Sequence, residues 1–402
     1  MPILVFSLAQ IVGIPLGAAA LAYLVLALRA LRRFRERPAR APDWHPPVSV
    51  LKPVYGASPG LYECLRSFCE QDWPTYEVIF GSHTEDDPAV EVVRRLIHDL
   101  PDRDLRLIVD GALAGPNRKA ANLANIFARA RYDIIVLADS DVRVDRNCLA
   151  SMAAPFTEPS VGAVASIYKG WAIGAAPAQF GALYINDWFV PSVVVDVDLR
   201  GIDFVFAMSS VRREALDAIG GFVQLAQFFA DDFALGRLIR RKDWKVVLST
   251  YACDTVVAER SFVEMFRHEV RWQRTERACR PLDQFMSVVT WPLPLLALLL
   301  LPQPSLVGLG IIGAEMILRI LVHFQVRRSF RIPGPSEPWL VPLRDCVCFF
   351  AWLAGLFGNK VYWGKEAFSI AAYRKLMSAE SERVGTVQRA DKIGGGGTCE
   401  SG

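Results

Sequence analysis

"IIVLADSDVRV" (residues 134–144) runs a strongly apolar stretch straight into two aspartates one residue apart, Asp139 and Asp141. A carboxylate is costly to bury without a partner, so two of them at the end of a buried strand call for something positive nearby.

The surroundings repeat the same design. "VSVLKPVYG" (48–56), "YEVIFGSH" (76–83) and "LRLIVD" (105–110) read as strands; "PGLYECLRSFCEQ" (59–71) and residues 89–100 and 118–129 read as the helices between them. Apolar strands separated by amphipathic helices predict an α/β domain whose mostly parallel sheet carries helices on both faces. In such sheets ligands bind beyond the carboxyl ends of the strands. Asp139 and Asp141 belong there, and so do Asp86 and Asp87 at the end of the second strand. Carboxylates gathered at one edge suit a hard divalent cation, Mg²⁺ or Mn²⁺, which takes one or two of them and fills its shell with water and substrate phosphates. A bare surface turn yields the same D-x-D motif, and the apolar strand before it is what favours a site.

A third acidic pair stands in "FFADDFALGRLIRR", where Asp231 and Asp232 precede a helix running to about residue 241. Capping of that helix is one reading, exposure of one carboxylate to the cleft the other, and the two are compatible. In "SFVEMFRHEVRWQRTERACR", Phe262, Phe266 and Val270 recur every four residues, with Arg267, Arg271 and Arg274 on a neighbouring stripe. Such a helix can lie on a membrane surface, or close a cleft beside the bilayer and present an arginine to a diphosphate.

The two ends of the chain hold the apolar excess hidden in an average of 52% apolar residues. Residues 2–28 carry no charge, long enough for the ~20 residues a bilayer requires, and Arg29, Arg32, Arg33, Arg35, Arg37 and Arg40 follow. Positive charge after the apolar run predicts an uncleaved anchor with the rest of the chain cytoplasmic. Residues 285–301 and 305–326 predict a helical hairpin; Glu315 and Arg319, four apart in the second arm, can neutralise each other and lower a cost of ~2.5–3.5 kcal/mol per lone charge. Residues 339–363 read as a further span or a re-entrant segment, and the glycine-rich 393–402 as disordered. "YINDWFVPSVVV" (184–195) reads either as a surface facing the lipid or as buried core. The expected organisation is an anchor (1–28), a basic linker (29–45), a catalytic domain (46–260), an interfacial helix (261–284), a membrane region (285–363) and a cytoplasmic tail (364–402). A net charge of +3 with grouped arginines argues against nucleic acid, and eight scattered cysteines without metal-ligand spacing read as reduced thiols.

These residues carry a resemblance. The region 45–280 resembles the lipid-directed glycosyltransferases of GT-A (Rossmann-like) fold, most closely the ceramide glucosyltransferases of glycosyltransferase family 21, and is similar to the bacterial hopanoid-associated enzymes of that group. The family pattern is three aspartate sites followed by (Q/R)xxRW. Here "DDPAVEVVRRL" looks like the first site, with Asp87 or Asp86 as counterpart, "ADSDVRV" the second, "ADDFALG" the third, and "HEVRW" (268–272) the last. His268 stands where the family has Gln or Arg. "GPNRKAANLAN" (115–125) is similar to the family's G-x-N-x-K-x-x-N-L stretch.

The resemblance implies an inverting, metal-dependent transfer of a hexose from a UDP-sugar to a membrane lipid hydroxyl at a bacterial inner membrane. It assigns Asp139 and Asp141 to metal and donor, Asp87 to the base or ribose, Lys119 and Arg271 to the diphosphate, and Asp232 to the catalytic base; Trp272 closes the pocket or stacks on the acceptor. UDP-glucose with ceramide is the pair the family suggests, and UDP-N-acetylglucosamine with a hopanoid polyol is the alternative. A processive polysaccharide synthase and a non-catalytic membrane scaffold are the rival readings.

Overall fold

The structure, a computed structural model, describes residues 8–37, 44–334, 336–363 and 366–379. Arg40 and the glycine-rich end therefore lie outside the described residues. The first half of the chain alternates as its periodicity predicts: α1 (Leu8–Glu36), β1 (Val48–Pro53), α2 (Leu61–Cys69), β2 (Tyr76–Ser82), α3 (Pro88–Asp99), β3 (Leu105–Val109), α4 (Arg118–Phe127), β4 (Ile134–Ala138) and the short β5 (Val142–Arg143). Then come α5 (Cys148–Ala153), β6 (Val161–Ala172), α6 (Ala176–Tyr184), α7 (Val190–Arg200), β7 (Met208–Arg212), α8 (Arg213–Asp217), α9 (Gly221–Leu225), α10 (Asp231–Arg241) and β8 (Lys245–Val257). The last part holds α11 (Phe262–Cys279), α12 (Pro281–Met286), α13 (Leu293–Leu300), α14 (Leu306–Phe330), α15 (Val341–Gly355), β9 (Lys360–Trp363) and β10 (Glu366–Ser369).

Eight strands form one sheet in the order β3-β2-β1-β4-β7-β6-β8-β5. β3, β2, β1 and β4 are mutually parallel, and every residue of β1 and β4 is buried, which is why these strands read as unbroken apolar runs. β7 is antiparallel to both β4 and β6. The cause is the connection: α6 and α7 keep the chain at the edge where β6 ends, so β7 starts there, with Met208 opposite Ala138, and runs away from it. The α/β GT-A-type expectation is met, with an antiparallel strand inserted next to the D-x-D strand.

Among the described residues two helices are long and apolar enough to cross a membrane, Leu8–Glu36 and Leu306–Phe330. They pack together, with Phe34 stacked on Phe330 at 5.4 Å. The basic stretch expected as a linker from 29 instead continues α1 to Glu36, and Leu24, Leu31 and Phe34 join the core that holds Ile79 and Ile135 of the sheet.

Two expectations are corrected, and one open choice is narrowed. The first arm of the hairpin is not one straight span: Pro281–Thr290 meets Leu293–Leu300 at 63°, as the two prolines of "WPLP" (291–294) dictate by restricting the preceding residue and removing a helix donor. Residues 339–363 are not a span either. α15 has 15 residues, about 22 Å at 1.5 Å per residue against a core of ~30 Å, and β9 pairs with β10 in an antiparallel hairpin.

Glu315 and Arg319 do not neutralise each other. Arg319 forks onto Asp345 of α15, with Nε 2.7 Å from Oδ2, and its Nη1 donates to the Asp187 carbonyl at 3.0 Å. Both Glu315 oxygens are buried without a hydrogen-bond partner. Residues 184–195 are core: Asp187 lies 2.9 Å from His323 Nδ1, Asn186 brackets the backbone of Gly170, and Trp188 donates to Thr290.

Candidate active site

The D-x-D turn is held by strands on both sides. Asp139 N–H donates to the Ala207 carbonyl at 2.9 Å, extending the β4–β7 ladder, and Val256 N–H donates to the Asp141 carbonyl at 3.0 Å beside the β5–β8 pairing. Thr255 lies across from Asp141, hydroxyl to Oδ2 at 3.3 Å. Beneath the turn, Lys52 is fully buried; its ammonium donates to the Asp139 carbonyl at 2.5 Å and sits 4.1 Å from the centre of the Phe68 ring. Burial pulls Lys52 down to about 8, with Cys64, Asp141 and Asp139 opposing.

Asn117 and Lys119 tie this turn to the ADD segment. Asn117 caps α4 through Ala120 N–H, and its amide donates to the Phe228 carbonyl (2.8 Å) and to Asp231 Oδ1 (3.1 Å). Lys119 Nζ lies 2.7 Å from Asp139 Oδ1 and 3.3 Å from Asp231 Oδ2. Burial alone would lower the Lys119 ammonium, but Asp139, Asp231 and Asp232 outweigh it and push it up. Close packing fixes the turn before α4 and the helix α10. A Cβ on Gly115 would lie 2.4 Å from the Ala226 carbonyl oxygen, and one on Gly236 2.3 Å from Phe204 Cα.

Asp231 and Asp232 occupy the first turn of α10, where the N-cap position is Ala230 and no side chain caps. Simple capping is therefore not what the pair does. Asp232 Oδ1 takes only its neighbour's Phe233 N–H at 2.7 Å. Burial, then the charge of Asp231, lifts the Asp232 carboxyl to about 6 against the pull of Lys119.

From the other side α11 presents HxxRW. His268 Nδ1 lies 2.7 Å from Glu259 Oε1, and burial lowers its pKa although that hydrogen bond opposes. Arg271 lies 4.1 Å over the Trp363 ring, and burial lowers it to about 10. Trp272 stacks on Tyr184 at 5.4 Å and leans on His268 at 4.1 Å.

All these groups line one cavity of about 380 Å³: Lys119, Asp139, Asp141, Asp231, Asp232, His268, Arg271 and Trp272 face it together. Asp86 and Asp87 are not among its lining residues. Asp86 is exposed, and Asp87 is the N-cap of α3, its Oδ1 accepting from Ala89 N–H (2.9 Å) and Gly56 N–H (2.8 Å). Lys52, Glu259, Trp363, Glu366 and Phe368 were missed in the sequence. Only Lys52 leaves a signal there, a charge inside a buried apolar strand; the others come from segments with no spacing relation to the motifs.

Asp139 and Asp141 fit a hard cation. Burial, then the charge of Asp139, raises Asp141 to about 6, and a cation placed between the two would favour the ionised form. Among the described residues no group of three or more His, Cys, Asp or Glu could hold a metal, so a Mg²⁺ or Mn²⁺ here would draw its remaining ligands from water and a bound phosphate.

The model of glycosyl transferase family 21 matches residues 12–376. Ceramide glucosyltransferase 1 of Caenorhabditis elegans is 26% identical over 242 residues, 59% of this chain and 51% of its own length. Ceramide glucosyltransferase 3 of the same organism is 24% identical over 346 residues, 81% of this chain and 73% of its own. The ceramide glucosyltransferase of Gibberella zeae is 30% identical over 219 residues, 50% and 38% of the two chains. This chain thus spans about half the length of the first of these relatives. Among solved structures, mannosyltransferase PcManGT from Pyrobaculum calidifontis, in complex with GDP-Man and Mn²⁺, matches with a TM-score of 0.52 at 19% identity, covering 89% of this chain and 100% of that one. That likeness shows the shared fold.

Proposed function

Because the chain belongs to glycosyltransferase family 21, we propose that it moves glucose from UDP-glucose to the primary hydroxyl of ceramide at a membrane surface. The observation that carries this is the cavity in which Asp139, Asp141, Asp231, Asp232, Lys119 and Arg271 converge, beside helices apolar enough to enter a bilayer. Arg29 to Arg37 at the end of α1 and Arg327 and Arg328 at the end of α14 lie at one end of the helix pair, where Phe34 meets Phe330. By the positive-inside rule that end, and the catalytic domain with it, faces the cytoplasm.

Asp139 and Asp141 would hold Mg²⁺ or Mn²⁺; the ion supplies positive charge to the departing diphosphate. Lys119 and Arg271 add fixed cations on either side of the same phosphates, charge that is already in place when the bond breaks. Asp232 is the base. Its carboxylate takes the acceptor hydroxyl proton while that oxygen attacks the anomeric carbon, and the electron pair of the breaking C–O bond leaves on the UDP oxygen, which inverts the configuration. A carboxyl at about 6 is well matched to the work, since a base is most effective with its pKa near the working pH. Asp87 is assigned to the nucleoside, where the Oδ2 not used by its two backbone donors can accept. Trp272, packed on Tyr184, walls the acceptor side.

The test is incubation of the purified full chain with UDP-glucose or UDP-N-acetylglucosamine, Mn²⁺, and ceramide or a hopanoid polyol, with lipid products read by mass spectrometry. A β-glucosylceramide that disappears in Asp232→Asn supports the proposal. Transfer to the hopanoid alone moves the acceptor assignment, and no transfer from either donor with metal present removes the enzyme reading.

A further inference from the structure

A second, larger groove of about 1110 Å³ adjoins the site and shares Glu259, His268 and Arg271 with it. Its chemistry differs. Arg260, Arg267, Arg271, Arg274 and Lys360 line it, against only Glu259 and Glu264. Those two acids are engaged, Glu259 with His268 at 2.7 Å and the Glu264 carboxylate with the backbone N–H of Arg260 at 2.9 Å. Arg274 turns its Nε to the Phe357 carbonyl at 3.0 Å. Arg260, Arg267 and Lys360 make no ion pair among the described residues.

Of the exposed large apolar side chains, Tyr362 (53% exposed) lines the groove, and Phe262 (54%) and Val263 (59%) stand between its lining residues Arg260 and Glu264 along the chain. Met265 and Gln273 of α11 are spent on the protein interior instead. Unpaired cations beside protruding aromatic and aliphatic groups are what a helix presents to the phosphate level of a bilayer: the rings enter the acyl boundary and the cations meet the headgroups.

We propose that this groove seats the headgroup phosphate of an anionic phospholipid, with Arg260 and Arg267 as its main contacts and Phe262 and Val263 against its chains. The occupant is distinct from the sugar acceptor. Because Arg271 and His268 wall both cavities, a phosphate in the groove lies next to the residues that close the donor site, and the surrounding bilayer can thereby influence transfer.

The experiment uses the full chain in nanodiscs of mixed phosphatidylcholine and phosphatidylglycerol, released into detergent, with retained lipid counted by native mass spectrometry. The wild type is expected to keep phosphatidylglycerol over phosphatidylcholine by at least about tenfold, against about thirtyfold for two arginines acting at full strength. R260Q/R267Q should fall to parity, while R103Q/R146Q, an equal charge loss at exposed positions elsewhere, should keep the preference. Equal retention of both lipids by the wild type, or an unchanged preference in R260Q/R267Q, overturns the proposal. So does displacement of phosphatidylglycerol by millimolar inorganic phosphate, which would make the groove a free-anion site, or by neutral ceramide, which would make it the acceptor's own channel. Lipid retention is read without glycosyl transfer, so its outcome is separable from that of the proposed reaction.

Discussion

The ammonium of Lys119 lies 2.7 Å from Asp139 and 3.3 Å from Asp231, so one cation spans the D-x-D turn and the ADD segment. In the proposed reaction the same Asp139 carboxylate would hold the metal, so Lys119 would compete with the metal for Asp139 and act with it on the phosphates. Lys119→Met should therefore act in opposite directions. Mn²⁺ alone is expected to bind several-fold tighter, and UDP-sugar with Mn²⁺ at least tenfold weaker, a loss of about 1.4 kcal/mol or more. Titration calorimetry of metal, then of nucleotide, checks both signs.

Asp232→Asn should leave donor affinity within a few-fold and lower turnover by about 10²–10⁴. It should also stabilise the fold. The Asp232 carboxyl is raised from 3.8 to about 6, so the folded state holds this proton more tightly than the unfolded one, and its contribution to stability falls as pH climbs from 3.8 towards 6. At pH 7 the ionised side chain is a cost that the amide lacks. A rise of a few degrees in Tm, at about 2–4 °C per kcal/mol for a domain of this size, is the expected result. A variant that is both inactive and less stable would count against this account of Asp232.

The pH profile follows from the same group. kcat/KM should climb about tenfold per pH unit on the acid side and level off above about 6, where Asp232 is ionised. Asp231 is the charge that adds most to the lift after burial. Asp231→Asn should accordingly shift the acid limb to lower pH, whatever it costs in absolute rate. A limb that stays in place or moves up in that variant assigns the profile to another group.

Within the apolar region, Asp345→Ala strands the Arg319 guanidinium and should cost about 3–5 kcal/mol. Glu315→Gln should cost nothing or stabilise, because both carboxylate oxygens are buried without partners. Thermal unfolding of the two variants in detergent compares them directly. Equal losses would mean that Glu315 serves Arg319 as much as Asp345 does.

Gly236→Ala places a Cβ 2.3 Å from Phe204 Cα, a backbone atom that cannot swing aside. A loss of about 1–3 kcal/mol is expected, as for overpacking elsewhere. Gly236 is not itself a lining residue but stands one turn from Asp232 on α10, so donor binding should also weaken, by a few-fold, at temperatures where the variant is folded.

What the amino-acid order determined alone was whatever depends on near neighbours. Buried strands announced themselves as apolar runs, α3 and α4 between them by amphipathic spacing, and α1 and α14 by length and apolarity. The motif acids were legible because each stands at the end of an element whose type was legible, and topology then carries Asp139, Asp141, Asp231 and Asp232 to one edge.

Tertiary structure decided the choice among partners. Arg319 had a suitable acid one helical turn away and took Asp345 instead, because a fork pointing across to α15 meets two oxygens squarely. Asp87 proved to be a cap outside the cavity lining, while Trp363, Glu366 and Phe368 came to the donor site from a hairpin some ninety residues beyond HxxRW. Spacing along a chain reports contacts within a few residues; which distant surfaces meet is settled by packing and desolvation of the whole, and no local pattern records it.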